Sequence, residues 1–494
     1  MPELIEWPCD FPECGRLILS EDAICELCHE VRCTTHNTKE DHHCRTIGTK
    51  ELRREKKANT KRQYLTYLIS QLRVYSHHIT QQATSLRPGH SCNLNIPEAV
   101  DDLLQSGLLA GFNVHIKLEF EDGVRWLLRV RQDRRHRPPK IIRQCSIDSE
   151  VATLNTLKKG GIPVPEGFIP IRTCLDDQGQ DIPFDYFFYE FLSGSTWRMP
   201  KHPLKSLSLP EDRLLQLMEG YGQIQIKLSE LRLPVDQIGC LRSGSQPGKI
   251  EVGPVIARGC FQTPEPPYLL GPFSSMKDRY LAHIKATLDY ILLGAICQFD
   301  PIDAYLWHLE LEELVNHSVI LGQPIKEVYV KHDDEKGDHL MWNEEGKIVG
   351  VLDWEWAYVT SKGEAFSSPY IFYESWKYIK GDNTLTKEEN MLIDYYERHE
   401  KSDLANCVRN GRLYQRLSRI GRYDKVYTKK GFREPFESDP QKDFCPPEKD
   451  VDWRVYMIKR YKDHSGLMGM MEKYGFSLKK AEVEAAEWHL KQQT

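Results

Sequence analysis

Eight soft or borderline metal ligands crowd the first 44 residues: Cys9, Cys14, Cys25, Cys28, Cys33, His36, His42 and Cys44. They run as Cys-x4-Cys-x10-Cys-x2-Cys-x4-Cys-x2-His-x5-His-x-Cys, four close pairs in a row. A segment this short cannot bury a sufficient apolar core, so another source must supply its folding energy. Structural zinc takes four tetrahedral sulfur or nitrogen ligands, and eight ligands serve two ions. The other eight of the 14 cysteines are scattered singly along the chain, and the start, MPELIEWPCDF, shows no charged-then-apolar leader. Free thiols in a reducing compartment are therefore expected, and there a dense Cys/His array reads as a metal site rather than a disulfide framework. With no ligand position left open for water, the zinc is structural. His29 and His43 fall outside the spacing.

This spacing resembles the AN-one type zinc finger, a small domain of stress-associated and ubiquitin-pathway proteins. In that family the pairs alternate between ions. The resemblance implies one zinc on Cys9, Cys14, Cys33 and His36 and a second on Cys25, Cys28, His42 and Cys44. Residues 1–44 carry 3 basic and 10 acidic side chains, which disfavours a phosphate backbone as their ligand. A protein partner is the expectation for the finger.

The whole chain has 494 residues and a formal net charge of −6, so it is not built to coat nucleic acid, and its length allows two or three domains. No apolar run approaches the roughly 18 residues of a membrane span. Between Arg45 and Arg62 stand eight Lys/Arg and two Glu. A solvated helix face is the plain reading of this run, and a nuclear localisation or nucleic-acid patch is the alternative. The location expected is cytoplasmic, with the nucleus as the alternative. Leu65, Leu68, Ile69, Leu72 and Ile79 continue at helical spacing, predicting one amphipathic helix over about 51–83 whose stripe packs on the next domain. Pro88-Gly89 ends this connector, which spans 47–90.

Residues 96–106 read as a short helix, and Gly107 and Gly111 bracket a loop. Val114, Ile116, Leu118 and Phe120 then alternate with His115, Lys117 and Glu119, and Asp122-Gly123 turns a hairpin into a return strand, Val124 to Val130. A glycine-bearing turn before a hairpin can lay backbone N–H groups over phosphates. From Arg125 to Arg143 stand eight basic residues and one acid, where a phosphate-facing cation fits. Residues 146–159 read as a helix with Glu150 near its start, placed to orient a strand cation. Asp181 to Leu192 reads as an apolar, aromatic strand, and Ser193-Gly194 as a linker between lobes.

The densest chemistry lies at 328–357, VYVKHDDEKGDHLMWNEEGKIVGVLDWEWA. It reads as strand, polar loop, strand, turn and strand, with His332, Asp333, Asp334, Asp338 and His339 in the loop and Asp353 and Glu355 at the end. Carboxylates at the ends of adjacent strands can hold magnesium, and phosphoryl transfer needs such a metal plus a carboxylate that orients the attacking hydroxyl. Beyond Asp353, the aromatic run from Trp354 to Tyr378 reads first as helix packing and second as a pocket wall. Glu355 and Glu374 are placed as candidates to meet a cationic substrate.

This region resembles the aminoglycoside phosphotransferase and choline kinase superfamily. Its catalytic loop reads His-Gly-Asp-x4-Asn, and a later Ile-Asp-Trp-Glu supplies a second metal ligand. Here His332-Asp333-Asp334 stands for the first and Leu352-Asp353-Trp354-Glu355 for the second. KHDDEKGDHLM, with Ile238-Gly239-Cys240-Leu241 and Val252-Gly253-Pro254-Val255, is similar to the fungal phosphotransferase-like branch. The resemblance covers residues 91 to about 430. It implies an α+β, protein-kinase-like fold of two lobes: a small β-rich lobe over 91–193 and a large helical lobe over 194–494. The two-zinc, cross-braced finger of 1–46 precedes them. It further implies Asp334 as catalytic base beside His332 and Asp353 as magnesium ligand. Arg129 falls in the phosphate-binding Lys position, Glu150 is its partner, Gly111 lies in the nucleotide loop, and Glu190 to Leu192 form the hinge behind the adenine.

Two positions depart from the family. His339 replaces the metal-binding Asn, a poorer donor for a hard cation, with Asp338 beside it to compensate. Arg129 replaces Lys, and the two are not interchangeable in geometry. The function expected is transfer of phosphate from ATP, with magnesium or manganese, to a hydroxyl of a small molecule. The alternative is a pseudokinase-like scaffold whose zinc finger recruits a protein partner.

Overall fold

The structure is a computed structural model. It describes residues 50–132, 138–170, 182–196, 209–246, 248–256, 266–297, 300–373, 377–378, 380–423, 429–436 and 443–493. It also describes the backbone of the two-residue strands β1 (Trp7–Pro8) and β2 (Leu17–Ile18), which pair antiparallel. The eight cysteine and histidine ligands expected for zinc, Cys9, Cys14, Cys25, Cys28, Cys33, His36, His42 and Cys44, lie outside the described residues. So does Glu374.

The chain divides into two compact units. The first comprises Met1–Trp197, Leu241–Glu251 and Asp338–Glu355, the second Arg198–Cys240, Val252–Gly337 and Trp356–Thr494.

The connector forms two helices where one was expected, α1 (Lys50–Val74) and α2 (Ser76–Leu86). The break falls at Tyr75, where the Ser76 hydroxyl donates to the Arg73 carbonyl. The expected stripe is buried: Leu65, Leu68, Ile69, Leu72, Ile79 and Ala83 share one core with the first sheet.

That sheet has five antiparallel strands in the order β3-β4-β5-β7-β6. They are β3 (Cys92–Asn95), β4 (Asn113–Phe120), β5 (Arg125–Arg131), β6 (Gly167–Phe168) and β7 (Tyr186–Glu190). The short helix α3 (Val100–Gln105) precedes β4. Gly123 closes the β4–β5 turn at φ 82°, a conformation L-residues avoid. With side chains alternating by face, Val114, Ile116, Leu118, Trp126, Leu128 and Val130 meet the connector. Arg125, Leu127, Arg129 and Arg131 share the opposite face. The register sets His115 beside Arg129 and Asn113 beside Arg131.

Helix α4 (Lys140–Lys159) begins six residues before the expected 146, with Pro139 at its N-cap, where the fixed φ of proline suits a helix start. A three-stranded sheet ordered β13-β12-β8 completes the first unit: β8 (Ser195–Thr196), β12 (Leu340–Trp342) and β13 (Ile348–Val351).

The second unit is mostly helical. Helices α5 (Glu211–Glu230), α6 (Met276–Leu293) and α7 (Pro301–His317) lead it. Strand β11 (Tyr329–Lys331) pairs antiparallel with β14 (Tyr358–Thr360), and α8 (Lys362–Ala365) follows. The hairpin β9 (Cys240–Ser243) and β10 (Ile250–Gly253), whose Leu241–Glu251 stretch belongs to the first unit, lies between α5 and α6 in the chain. The core joins α6 and α7 to C-terminal helices through Tyr280, Ile284, Leu306, Trp307, Trp453 and Met457. Among the described residues no helix is long and apolar enough to cross a membrane.

Candidate functional site

Arg129 is the centre of a buried ionic cluster in the first unit. Its side chain is 5% exposed, and Nη2 lies 2.8 Å from Asp353 Oδ1, 3.1 Å from Glu150 Oε1 and 3.2 Å from Glu355 Oε2. Nη1 faces His115 Nε2 at 3.3 Å. His115 Nδ1 is 3.0 Å from the Leu108 carbonyl, which makes it the protonated nitrogen and leaves Nε2 to accept from Arg129. Burial, and then the Arg129 charge, push the His115 pKa down to about 4, so the ring is neutral at physiological pH. Burial opposes the charge on Arg129, yet Glu150, Asp353 and Glu355 outweigh it and hold the guanidinium protonated. Three of the motif positions named from the sequence, on β5, α4 and the end of β13, thus meet at one guanidinium.

Two side chains that the sequence did not single out complete the cluster. Arg131 Nη1 lies 3.1 Å from Glu355 Oε2, and Asn113 Nδ2 donates to the same oxygen at 3.0 Å. Glu355 was expected as a candidate for a cationic substrate. Its side chain is instead 2% exposed and engaged by both arginines.

The turn that carries Gly111 is fastened to this cluster. The Ala110 N–H donates to the Asn113 carbonyl at 2.9 Å, and Leu109 bridges Val114. The Gln132 amide nitrogen donates to the Ala110 carbonyl at 2.7 Å, and the Gln132 backbone N–H donates to Phe112.

Burial first, and then the nearby charges of Glu355 and Asp353, raise the Glu150 pKa far above the ordinary carboxylate value, against the pull of Arg129. A carboxyl that binds its proton more tightly folded than unfolded contributes stability that is complete below its ordinary pKa. That contribution is lost as pH rises through the raised value. Glu150→Gln keeps the shape and removes the titration. Urea unfolding at about pH 5 and about pH 9 is expected to show a fall in stability for the parent that is smaller in the variant. Equal falls would count against a protonated Glu150.

Asp353 is the outward carboxylate of the three. Its side chain is 33% exposed, against 3% for Glu150 and 2% for Glu355. Its φ is 66°, in the left-handed region that a residue with a side chain enters at a cost, and such strain collects at functional sites. The Leu352 N–H donates to the His339 carbonyl at 2.8 Å, so His339 and Asp353 stand at adjoining ends of β12 and β13. His339 is 3% exposed, while its neighbour Asp338 is exposed. Among the described residues no three His, Cys, Asp or Glu side chains gather as a metal cage. Magnesium in phosphoryl transfer uses one or two carboxylates plus the phosphates themselves, and an outward Asp353 fits that donor set.

The positions expected for the hinge run from Glu190, the last residue of β7, to Leu192. Glu190 Oε2 accepts from Lys158 Nζ at 2.7 Å and from the Glu166 N–H at 2.9 Å. Leu192 packs so closely on Gly350 that a Cβ there would stand 2.7 Å from Leu192 Cδ1.

The HDD loop belongs to the second unit. His332 is 5% exposed, and its Nδ1 accepts from the Asp334 N–H at 3.3 Å. That contact holds the backbone of the loop at Asp334. Asp333 adopts φ 62°, a conformation glycine favours. Lys336 Nζ lies 3.0 Å from Asp334 Oδ2, a partner that the sequence reading missed although it is only two residues on. Glu335 is buried and accepts from Tyr221 Oη at 2.7 Å, which anchors the loop to α5.

No protein-family model matches this sequence, and no curated protein matches it. Solved structures similar to it include a thermostable mutant of aminoglycoside phosphotransferase APH(4)-Ia in complex with AMP-PNP and hygromycin B, at 13% identity and a TM-score of 0.36. That match covers 68% of this chain and 92% of the other. An ethanolamine kinase of Plasmodium vivax matches at 14% identity and a TM-score of 0.36, covering 72% and 80%. A macrolide 2'-phosphotransferase type I matches at 12% identity and a TM-score of 0.33, covering 74% and 97%. At these values the likenesses carry no argument about this chain.

Proposed function

We propose that the chain is a kinase-like phosphotransferase that moves a phosphoryl group from ATP, with magnesium or manganese, to a hydroxyl of a small molecule. The observation that carries the reading is the meeting of Arg129, Glu150 and the outward Asp353 at one point. A strand cation fixed by a helix carboxylate, beside a metal-binding aspartate, is the electrostatic frame of kinase chemistry. In the transfer the substrate oxygen bonds to the γ-phosphorus, the bond to the β–γ bridging oxygen breaks, and ADP departs. Asp334 orients the hydroxyl and takes its proton. Arg129 and the Gly111 turn hold phosphate oxygens, Glu190 to Leu192 back the adenine, and Asp353 with Asp338 or His339 serves as metal ligand. When bound, the metal neutralises phosphate charge. The expected pairs of zinc ligands in the first 44 residues remain part of the proposal, as a structural domain for a protein partner.

One observation favours the second reading, a scaffold without turnover. The Arg129 guanidinium is already shared among three carboxylates, Asp353 included. A thermal-shift titration of the zinc-loaded protein with ATP plus magnesium or manganese separates the two, because a ligand of the folded state raises its melting temperature. A metal-dependent rise that Asp353→Ala abolishes supports the phosphotransferase. No rise with either metal leaves the scaffold.

A further inference from the structure

The Asn113 and Glu355 side chains are 242 positions apart in sequence and meet at 3.0 Å in a buried hydrogen bond. Asn113 is 2% exposed and stands at the first position of β4, directly after Gly111-Phe112. One oxygen of Glu355 accepts from Asn113 Nδ2 and Arg129 Nη2, and Arg131 Nη1 lies 3.1 Å from it as an ion pair. Arg131 is held in turn by Ser146 Oγ at 3.2 Å. The turn is closed on its other side by Gln132.

We propose that Asn113 and Glu355 are positioning residues whose hydrogen bond latches the Ala110–Asn113 turn to the segment bearing Asp353, so that turn and metal carboxylate receive a nucleoside triphosphate as one unit. The ligand class rests on the phosphotransferase reading, whereas the latch rests on the contacts alone. A carboxylate that accepts from two side chains and pairs with a third ties the three together. The backbone of the turn therefore keeps its place relative to Arg129 and Asp353 before any ligand arrives. Preorganised donors spare the ordering cost of binding. Neither side chain touches phosphate in this account.

The test uses the full-length, zinc-loaded protein with Asn113→Ala, Glu355→Gln and the double variant. Hydrogen exchange over residues 108–114, without nucleotide, is expected to quicken about tenfold in Asn113→Ala, as for a lost hydrogen bond to a charged group. The double variant is expected to exceed the worse single variant by little, because the two changes remove one interaction. Affinity for manganese-ATP should fall about tenfold in the same variants while affinity for adenosine stays within about twofold. A merely structural injury would weaken both ligands alike. Unchanged exchange, additive effects or an equal loss for adenosine would overturn the latch. If the parent protein binds neither ligand, the phosphotransferase reading fails, and the exchange measurement still decides the latch. Glu355→Gln keeps the volume of the side chain and removes only the charge that draws Asn113 and both arginines, so it also guards against a variant that fails to fold.

Discussion

Asp334→Asn is expected to lower kcat by about 10²–10⁴ while manganese-ATP affinity changes little, the loss usual for a positioned proton acceptor. The structure shows why the change should be local. The Asp334 N–H is held by His332 Nδ1, and its carboxylate faces Lys336 Nζ. The flanking Glu335 is anchored by Tyr221, and the left-handed Asp333 sets the direction of the chain. An amide in place of the carboxylate keeps size and leaves the backbone frame untouched. It cannot take the hydroxyl proton. Turnover is read as ADP release with manganese-ATP, first with water and then with alcohols from a substrate screen. Full turnover in Asp334→Asn would sink the assignment of the base. A fall in manganese-ATP affinity as large as the fall in turnover would point to damage of the loop as a whole.

The legible parts of this chain were those carried by local pattern. Alternation over 114–120 and the Asp122-Gly123 turn name the β4–β5 hairpin, and its register follows. The apolar stripe from Leu65 to Ile79 finds the surface its periodicity demands. The motif positions name Arg129 and Glu150, which lie 3.1 Å apart. What local pattern does not carry is the balance of charge in a buried cluster. Arg131 reads as one more basic residue in a run of eight, and Asn113 as the polar start of a strand. Only the pairing of β4 with β5 brings Asn113 beside Arg131, and only the β13 end brings Glu355 to both. Glu355 reads as a candidate for a cationic substrate, and its burial against two arginines puts it inside the cluster instead. The helix break at Tyr75 was hidden for another reason. The apolar spacing runs unchanged across it, so periodicity joins the two helices into one.

Arg279→Met is expected to cost about 3–5 kcal/mol of stability, the usual result of removing one partner of a buried ion pair. Arg279 Nη1 lies 2.5 Å from Glu364 Oε2, and both side chains are under one-tenth exposed. Tyr280 Oη and Tyr358 Oη donate to the other Glu364 oxygen at 2.8 and 3.0 Å, and the Thr360 hydroxyl donates to Oε2. Burial alone would raise the Glu364 pKa, and the Arg279 charge reverses that, leaving it below the ordinary value. A lowered carboxyl pKa contributes stability at neutral pH that is lost as pH falls through the folded value. Methionine fills much of the arginine volume but leaves the carboxylate charged, buried and held by hydroxyls only. The deficit in the variant should therefore be greatest at neutral pH and shrink in acid, where Glu364 takes up a proton. Arg279→Met with Glu364→Gln should recover most of the loss, since the pair is replaced rather than broken. Urea unfolding of the single and double variants at about pH 7 and about pH 4.5 measures both effects. Thr360 and Tyr358 belong to β14, which pairs with β11, and β11 leads directly into His332. Loss of this pair should thus loosen the strand that delivers the HDD loop. A single variant as stable as the parent at neutral pH would show that the network is not what holds that strand.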